Sequence, residues 1–179
     1  VTVTRAATAD AVLTAMSEFL TLEAAGWKGR RGTAAALAPE TRRMFEEIAT
    51  GLGASGQMRV DALRVDGAPA AMVVSCGVGN RWWLWKISFD EAFARYSPGV
   101  LTVLDVSELA VRNCDYYDSC ALPGIPMIER AWRQRRPYAD TLIVPKRLGA
   151  LGGAIIGLET LRRQAETAAR RARDVIRSK

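Results

Sequence analysis

Residues Asp90–Leu101, DEAFARYSPGVL, join an aromatic-rich strand to an apolar helix, and that junction organises everything around it. Ser97 suits a helix N-cap, Pro98 suits the first helical position, where no N–H is needed, and Gly99 keeps the first turn free of side-chain bulk. The N–H groups that follow, with the positive end of the helix dipole behind them, form a seat for an anion such as a phosphate. A Ser-Pro pair at a helix start is most often a cap and nothing more, so its meaning depends on what flanks it.

Upstream, Met58–Val65 alternates apolar and polar residues, Asp66-Gly67 is a hairpin turn, and Pro69–Val78 is a nearly continuous apolar run. Gly79-Asn80 turns the chain again into Arg81–Phe89, the third strand of a meander. Ahead of it, Val1–Thr4 reads as a short strand. A helix capped by Thr8 or Asp10 then carries Val12, Met16, Phe19, Leu20 and Glu23 until Gly26 stops it. A second helix starts near Pro39, with Met44, Phe45, Ile48 and Leu52 on one side, and ends among Gly51–Gly56. Downstream, Val100, Leu101, Leu104, Val106, Leu109 and Val111 predict a helix to about Asn113. A strand over Tyr116–Ala121, a helix over Pro126–Arg136 and a closing strand over Thr141–Val144 follow. The meander predicts antiparallel pairing and the helix–strand alternation after it predicts parallel pairing, so the fold class is α+β with a mixed sheet.

Composition narrows the chemistry. The 179 residues are 49% apolar, enough for one domain with a continuous core, taken as 1–148, and an appended basic helix, 149–179. Of the net charge of +6, residues 150–179 contribute +4, so the globular part lacks the basic face of a nucleic-acid binder and no nucleic-acid partner is expected. There is no histidine, which excludes Ser-His-Asp and Cys-His catalysis within the chain and any imidazole metal site; no metal is expected. Cys76, Cys114 and Cys120 are odd in number, without CxxC spacing or a secretory signal, which fits reduced thiols in the cytoplasm. A start at Val1 is read as a processed chain or a piece of a longer one.

The tail steps by four and three through Ala154, Leu158, Leu161, Ala165, Ala168, Ala172 and Val175, a heptad seam rich in alanine. It lies on its own domain, or pairs with a partner chain in a dimer or with a further part of the protein, or meets anionic lipid as a peripheral surface helix.

Three blocks, FLTLEAAGWKGRRGTA (Phe19–Ala34), WKISFDEAFARYSPG (Trp85–Gly99) and DSCALPGIPMIERAWRQRR (Asp118–Arg136), in this order of elements, resemble the GNAT (Gcn-five-related N-acetyltransferase) superfamily. More closely, they are similar to the CelD-type, FemAB-like acetyltransferase domains of bacterial polysaccharide biosynthesis. The resemblance implies an acyl-CoA N-acyltransferase fold in which two strands splay apart around the acyl-pantetheine of acetyl-CoA or another acyl-CoA. That molecule is a co-substrate, not a permanently bound cofactor. It places cofactor contacts at Ile87, Ser88, Arg95, Ser97, Gly99, Val100 and Leu101, and transfer to an amine or hydroxyl of a small-molecule or saccharide acceptor. The chain departs from the superfamily's Arg/Gln-x-x-Gly-x-Gly/Ala loop by having Pro98, and Gly124-Ile125 stand where close relatives carry an acid-His pair.

Amine acylation needs a base, an oxyanion donor and a proton for the leaving thiolate. Without histidine the bases are Asp90, Glu91 and Asp118, with Asp90 the first choice; equally, Asp90 and Glu91 read as a solvated loop start. A backbone N–H near Ile87 or Ser88 serves the oxyanion, and Tyr96, Tyr116, Tyr117 and Tyr138 are candidate proton donors. Trp27 and Lys28, in the run WKGRRG, together with Trp83, Trp85 and Tyr117, are candidates for the acceptor pocket. The run first reads as a solvated inter-helix loop with Trp27 as its plug, and more sharply as an anion-contacting loop. Arg130, Arg133, Arg135 and Arg136 form a basic helix end, and an acyl-carrying Cys114 or Cys120 lacks a visible base. Two other functions fit the same residues: a transferase using aminoacyl-tRNA, as FemAB-type proteins do, and a non-catalytic assembly module with a degenerate site.

Overall fold

The computed structural model describes every residue except Pro123, Ala139, Asp140, Leu142, Ser178 and Lys179. Five strands, β1 (Thr2–Ala6), β2 (Met58–Val65), β3 (Ala68–Val78), β4 (Arg81–Phe89) and β5 (Tyr116–Asp118), form one sheet in the order of the chain. The pairs β1–β2, β2–β3 and β3–β4 are antiparallel and β4–β5 is parallel, so the sheet is mixed as expected. Asp66 and Gly67 both take positive φ, 49° and 84°, which a two-residue hairpin matched to strand twist requires.

One face of the sheet is covered by helices α1 (Ala9–Ala25) and α3 (Pro39–Ala54). Val12, Met16, Phe19 and Leu20, spaced by three and four, meet Met58, Val60, Met72 and Val74 there with essentially no exposure. The other face is covered by α4 (Pro98–Asn113) and α5 (Pro126–Ala131), whose Val103, Val106 and Ile128 pack on Val73 and Leu84. Thr8 occupies the N-cap of α1 but makes no side-chain cap bond.

Four expectations are corrected. Trp27–Arg30 is a short helix, α2, not a loop. The strand expected over Tyr116–Ala121 ends at Asp118, because Cys120 turns to φ 51° and breaks the extended run. The helix expected to Arg136 ends at Ala131. Trp132 leaves the helical conformation, and its indole N–H donates to Ser107 Oγ at 2.6 Å while its ring packs edge-on against Tyr117. The arginines beyond it offer no apolar face to sustain another turn. Of the expected strand Thr141–Val144, residues Thr141, Ile143 and Val144 are irregular and Leu142 lies outside the described residues.

The chain divides into two compact units, Val1–Arg133 and Gln134–Lys179. The second contains the helix α6 (Gly149–Arg177), on which Arg162 bridges Glu159 and Glu166 along the exposed surface. Leu158 and Leu161 of its seam are exposed. The side chains of Ala172 and Val175 lie outside the described ones.

Candidate active site

β4 leaves its neighbour part-way along. It pairs with β5 only at Arg81, Trp82 and Trp83, and among the described residues no strand covers its edge from Leu84 onward. At the same point Val74 faces Lys86 while Ser75 faces Leu84, so Trp85 is an extra residue in β4, a β-bulge. The Asp90 N–H donates to Ala70 O at 2.9 Å, and hydrogen-bonded pairs alternate in an antiparallel ladder. Ser88 therefore turns its backbone groups to β3, and Ile87 and Phe89 turn theirs to the vacated edge. The result is a slot with main-chain donors and acceptors on one wall.

The start of α4 closes one end of that slot and offers less than the sequence implied. Ser97 is left-handed, φ 52° and ψ 50°, and makes no side-chain cap bond, against the expectation that its hydroxyl caps the helix. A 3-10 turn over Glu91–Tyr96 ends at this residue, with the Ser97 N–H bonded to Ala94 O, and the left-handed geometry that terminates one helix overrides the extended geometry that caps the next. The N–H groups of Val100 and Leu101 both donate to Ser97 O, at 2.9 and 3.1 Å, so they are not the spare donors foreseen. Gly99 keeps its N–H uncommitted among the described residues, but the residue is buried. A Cβ there would lie 3.5 Å from Ile87 Cδ1 and 3.6 Å from Met127 Sδ. Arg95 is exposed and stacks over Tyr96 at 4.5 Å.

Each expected carboxylate has a local task. Asp90 Oδ1 accepts the Ala92 N–H at 2.9 Å and caps the 3-10 turn. Glu91 accepts the Trp27 N–H at 2.9 Å and Arg30 Nη2 at 2.6 Å; the Arg30 hydrogen bond holds its carboxyl below the usual range, which weakens it as a base. Asp118 accepts the Cys120 N–H at 2.8 Å and the Tyr116 hydroxyl.

The aromatic candidates divide between the two faces. Trp85 stacks on Phe45 with centroids 4.7 Å apart and 8° between planes, inside the α1/α3 core. Trp83 meets the edge of Tyr116 at 6.0 Å. Tyr117 is on the α4 side, its hydroxyl 2.5 Å from Ser75 Oγ; burial drives its pKa up, so it is spent on packing rather than on the acceptor side. Trp27 is 43% exposed, with Arg31 over its ring at 5.2 Å. Burial raises the pKa of Cys76, to about 11, and those of Cys114 and Cys120, so none of the three is an activated thiol.

The residue that sequence reasoning missed is Glu23. Its side chain is wholly inaccessible, and Oε1 accepts from Lys28 Nζ at 2.7 Å and Lys86 Nζ at 3.0 Å while Oε2 accepts the Ala35 N–H at 2.9 Å. Burial pushes this carboxyl up, but the Lys28 ammonium, the Ala35 N–H and the Lys86 ammonium outweigh it, and its pKa ends below the ordinary range. Lys28 Nζ also donates to Ile87 O at 3.3 Å, which places the ammonium on the open edge of β4. The one clue in the sequence was an acid in step with Met16, Phe19 and Leu20 on the buried side of the helix.

A mixed sheet with parted β4 and β5, a bulge at the parting and a helix start at its end is the architecture of the GNAT acyl-CoA N-acyltransferase fold. An aminoglycoside acetyltransferase from an uncultured soil metagenomic sample shares it at 12% identity and TM-score 0.53, over 80% of this chain and 98% of that one. The ribosomal-protein-alanine N-acetyltransferase of Brucella melitensis biovar Abortus 2308 does so at 14% and 0.51, over 81% and 100%. The aminoglycoside 6'-N-acetyltransferase of Acinetobacter haemolyticus does so at 13% and 0.51, over 82% and 99%. No curated protein sequence matches the chain. Residues 1–123 match the acetyltransferase (GNAT) domain, and the chain belongs to that family.

Proposed function

We propose that this chain transfers an acyl group, acetyl in the first instance, from acyl-CoA to an amine or hydroxyl. Membership of the family supports this, and the observation that carries it is the open edge of β4 beyond Trp83 with its bulge at Trp85. In this reading acyl-pantetheine lies along that edge, and the backbone of Ile87 and the bulge holds the thioester carbonyl. The pyrophosphate meets Gly99 with Arg95 beside it. A carboxylate, Asp90 before Asp118, receives the proton of the attacking amine directly or through water. The nitrogen lone pair then forms the C–N bond, the C–S bond breaks, and CoA leaves as a thiolate that takes up a proton. The basic C-terminal segment, 149–179, attaches the domain to a partner or surface, and a role in polysaccharide or cell-envelope synthesis in the cytoplasm follows from the CelD-type resemblance.

A second reading, a non-catalytic module on the same fold, draws on the buried Gly99 and the committed N–H groups of Val100 and Leu101. Titration with CoA separates the two: a rise in Tm of several degrees at millimolar CoA supports the transferase, and a folded sample that does not respond removes it. Gly99→Glu, which adds bulk and charge under Met127, should abolish that rise, whereas Asp90→Asn should lower turnover and leave it.

A further inference from the structure

Two lysines share one buried carboxylate beside the slot, and their charge exceeds what it can neutralise. Glu23 is held ionised, so it contributes one negative charge against the two ammoniums of Lys28 and Lys86. Around them, Arg30 is bridged to Glu91 and Arg31 lies on Trp27, which makes four cations to two carboxylates in this bonded group. Donor capacity is also in surplus. An ammonium carries three protons; Lys28 commits two, to Glu23 and Ile87 O, and Lys86 commits one, to Glu23, while resting over the Phe45 ring at 4.9 Å. Both side chains remain about a quarter open, 25% and 26%, whereas the carboxylate beneath is sealed. Three N–H protons on the two ammoniums thus remain uncommitted among the described residues, and the bond to Ile87 O holds the Lys28 ammonium at the open edge.

The position says which ligand group meets them. α4, whose start would take the nucleotide phosphates, lies on the Val73–Leu84 face of the sheet, and the lysines lie on the opposite, α1/α3 face. An acceptor entering a slot whose one side is filled by CoA comes from the lysine side.

We propose that the Lys28–Lys86 pair, clamped on Glu23 beside the open edge of β4, recognises an anionic group, a carboxylate or phosphate, on the acetyl acceptor. The acceptor is then an anionic amine or sugar and not a polycation. This rests on the acyl-CoA reading for the word acceptor, but the site is testable by binding alone.

The experiment is calorimetric titration of the protein, with and without CoA, using matched probes: glucosamine 6-phosphate against glucosamine, γ-aminobutyrate against n-butylamine, and spermidine as polycation. One anionic member or both should bind roughly tenfold tighter than its neutral match, as expected for a charge-assisted contact. Phosphate alone or carboxylate alone identifies the group. Lys86→Gln, which leaves Glu23 bonded to Lys28 and the Ala35 N–H, should erase most of that advantage while the Kd for CoA stays unchanged. Equal affinity within both pairs, no binding of either anionic probe, tighter binding of spermidine, or an advantage that survives both Lys86→Gln and Lys28→Gln overturns the proposal. So does a Lys86→Gln variant that loses CoA instead, since the anion would then be the nucleotide's. A protein that prefers the anionic probes but takes up no CoA leaves the anion site standing and removes the acyl-CoA reading.

Discussion

Two carboxylates are buried on opposite faces of the same sheet, and their pKa values move in opposite directions. Glu23, on the α1/α3 side, has three donors at 2.7–3.0 Å and a lowered pKa. Asp61 of β2, on the α4 side, is just as inaccessible and has two arginines near it, yet its pKa is raised. Burial is the largest influence on Asp61. Arg59 Nε bonds Oδ2 at 2.8 Å, but Arg5 Nε stays 3.5 Å from Oδ1, drawn off by Asp105 at 2.5 Å, and Oδ1 has no hydrogen bond among the described residues. Short donors, more than nearby charge, decide which way the pKa of a buried carboxylate moves. The face with the satisfied carboxylate borders the slot. The other face is a structural seam of Arg59, Asp61, Ser75 and Tyr117.

The largest expected effect breaks the Glu23 side. Glu23→Ala leaves two ammoniums without their counter-ion and should cost about 3–5 kcal/mol in urea unfolding; a cost below about 1 kcal/mol would show that water replaces the carboxylate and that the network is not structural. On the opposite face, Gly77→Ala places a Cβ 2.3 Å from the Trp82 ring, an indole that lies flat on the glycine and carries Arg59 at 5.3 Å. That overpacking should cost about 1–3 kcal/mol by the same measurement and change the near-ultraviolet spectrum of Trp82. Smaller again, Ser75→Ala removes the Oγ that the Tyr117 hydroxyl meets at 2.5 Å and should cost about 1–2 kcal/mol, read from the urea midpoint.

The finest test is the pH dependence, because the two groups pull in opposite directions. The folded pKa of Glu23 lies below its unfolded value, so its stabilisation is full above about 4.3 and is lost as pH falls through the folded value. For Asp61 the folded pKa lies above the unfolded one, so its penalty is present at neutral pH and fades as pH falls through the folded value toward about 3.9. Urea midpoints from pH 7 to pH 3 should therefore fall less steeply in Glu23→Gln than in the parent, and more steeply in Asp61→Asn. The reverse order would mean that the two pKa values move the other way.

Much of the scaffold was legible because it is written in local steric rules. The limits of β2 and β4 and the whole span of α4 follow from alternation, from Asp66-Gly67 and from Pro98, each acting through its own φ or through neighbours within a turn. Ser97 shows where that reading fails: it carries two local instructions, and the one that ends the preceding 3-10 turn prevails. Trp132 shows it again, since a bond to Ser107, 25 residues away, takes it out of the helix expected to run to Arg136.

The candidate site was less legible. The sequence marked Lys28 as part of a charged run and Asp90 and Glu91 as a strand end, but Glu23, the group that holds Lys28 together with Lys86, looked like an ordinary helical acid. By itself the sequence determined the order of elements, the hairpin, the helix start and the absence of imidazole chemistry, because turns, caps and composition act on residues adjacent in the chain. Only the tertiary structure decided that Glu23 meets Lys86 across 63 residues, that Trp85 bulges where β5 departs, and that Gly99 is covered by Met127. Burial and long-range hydrogen bonding set those states, and neither is a property of any short stretch of chain.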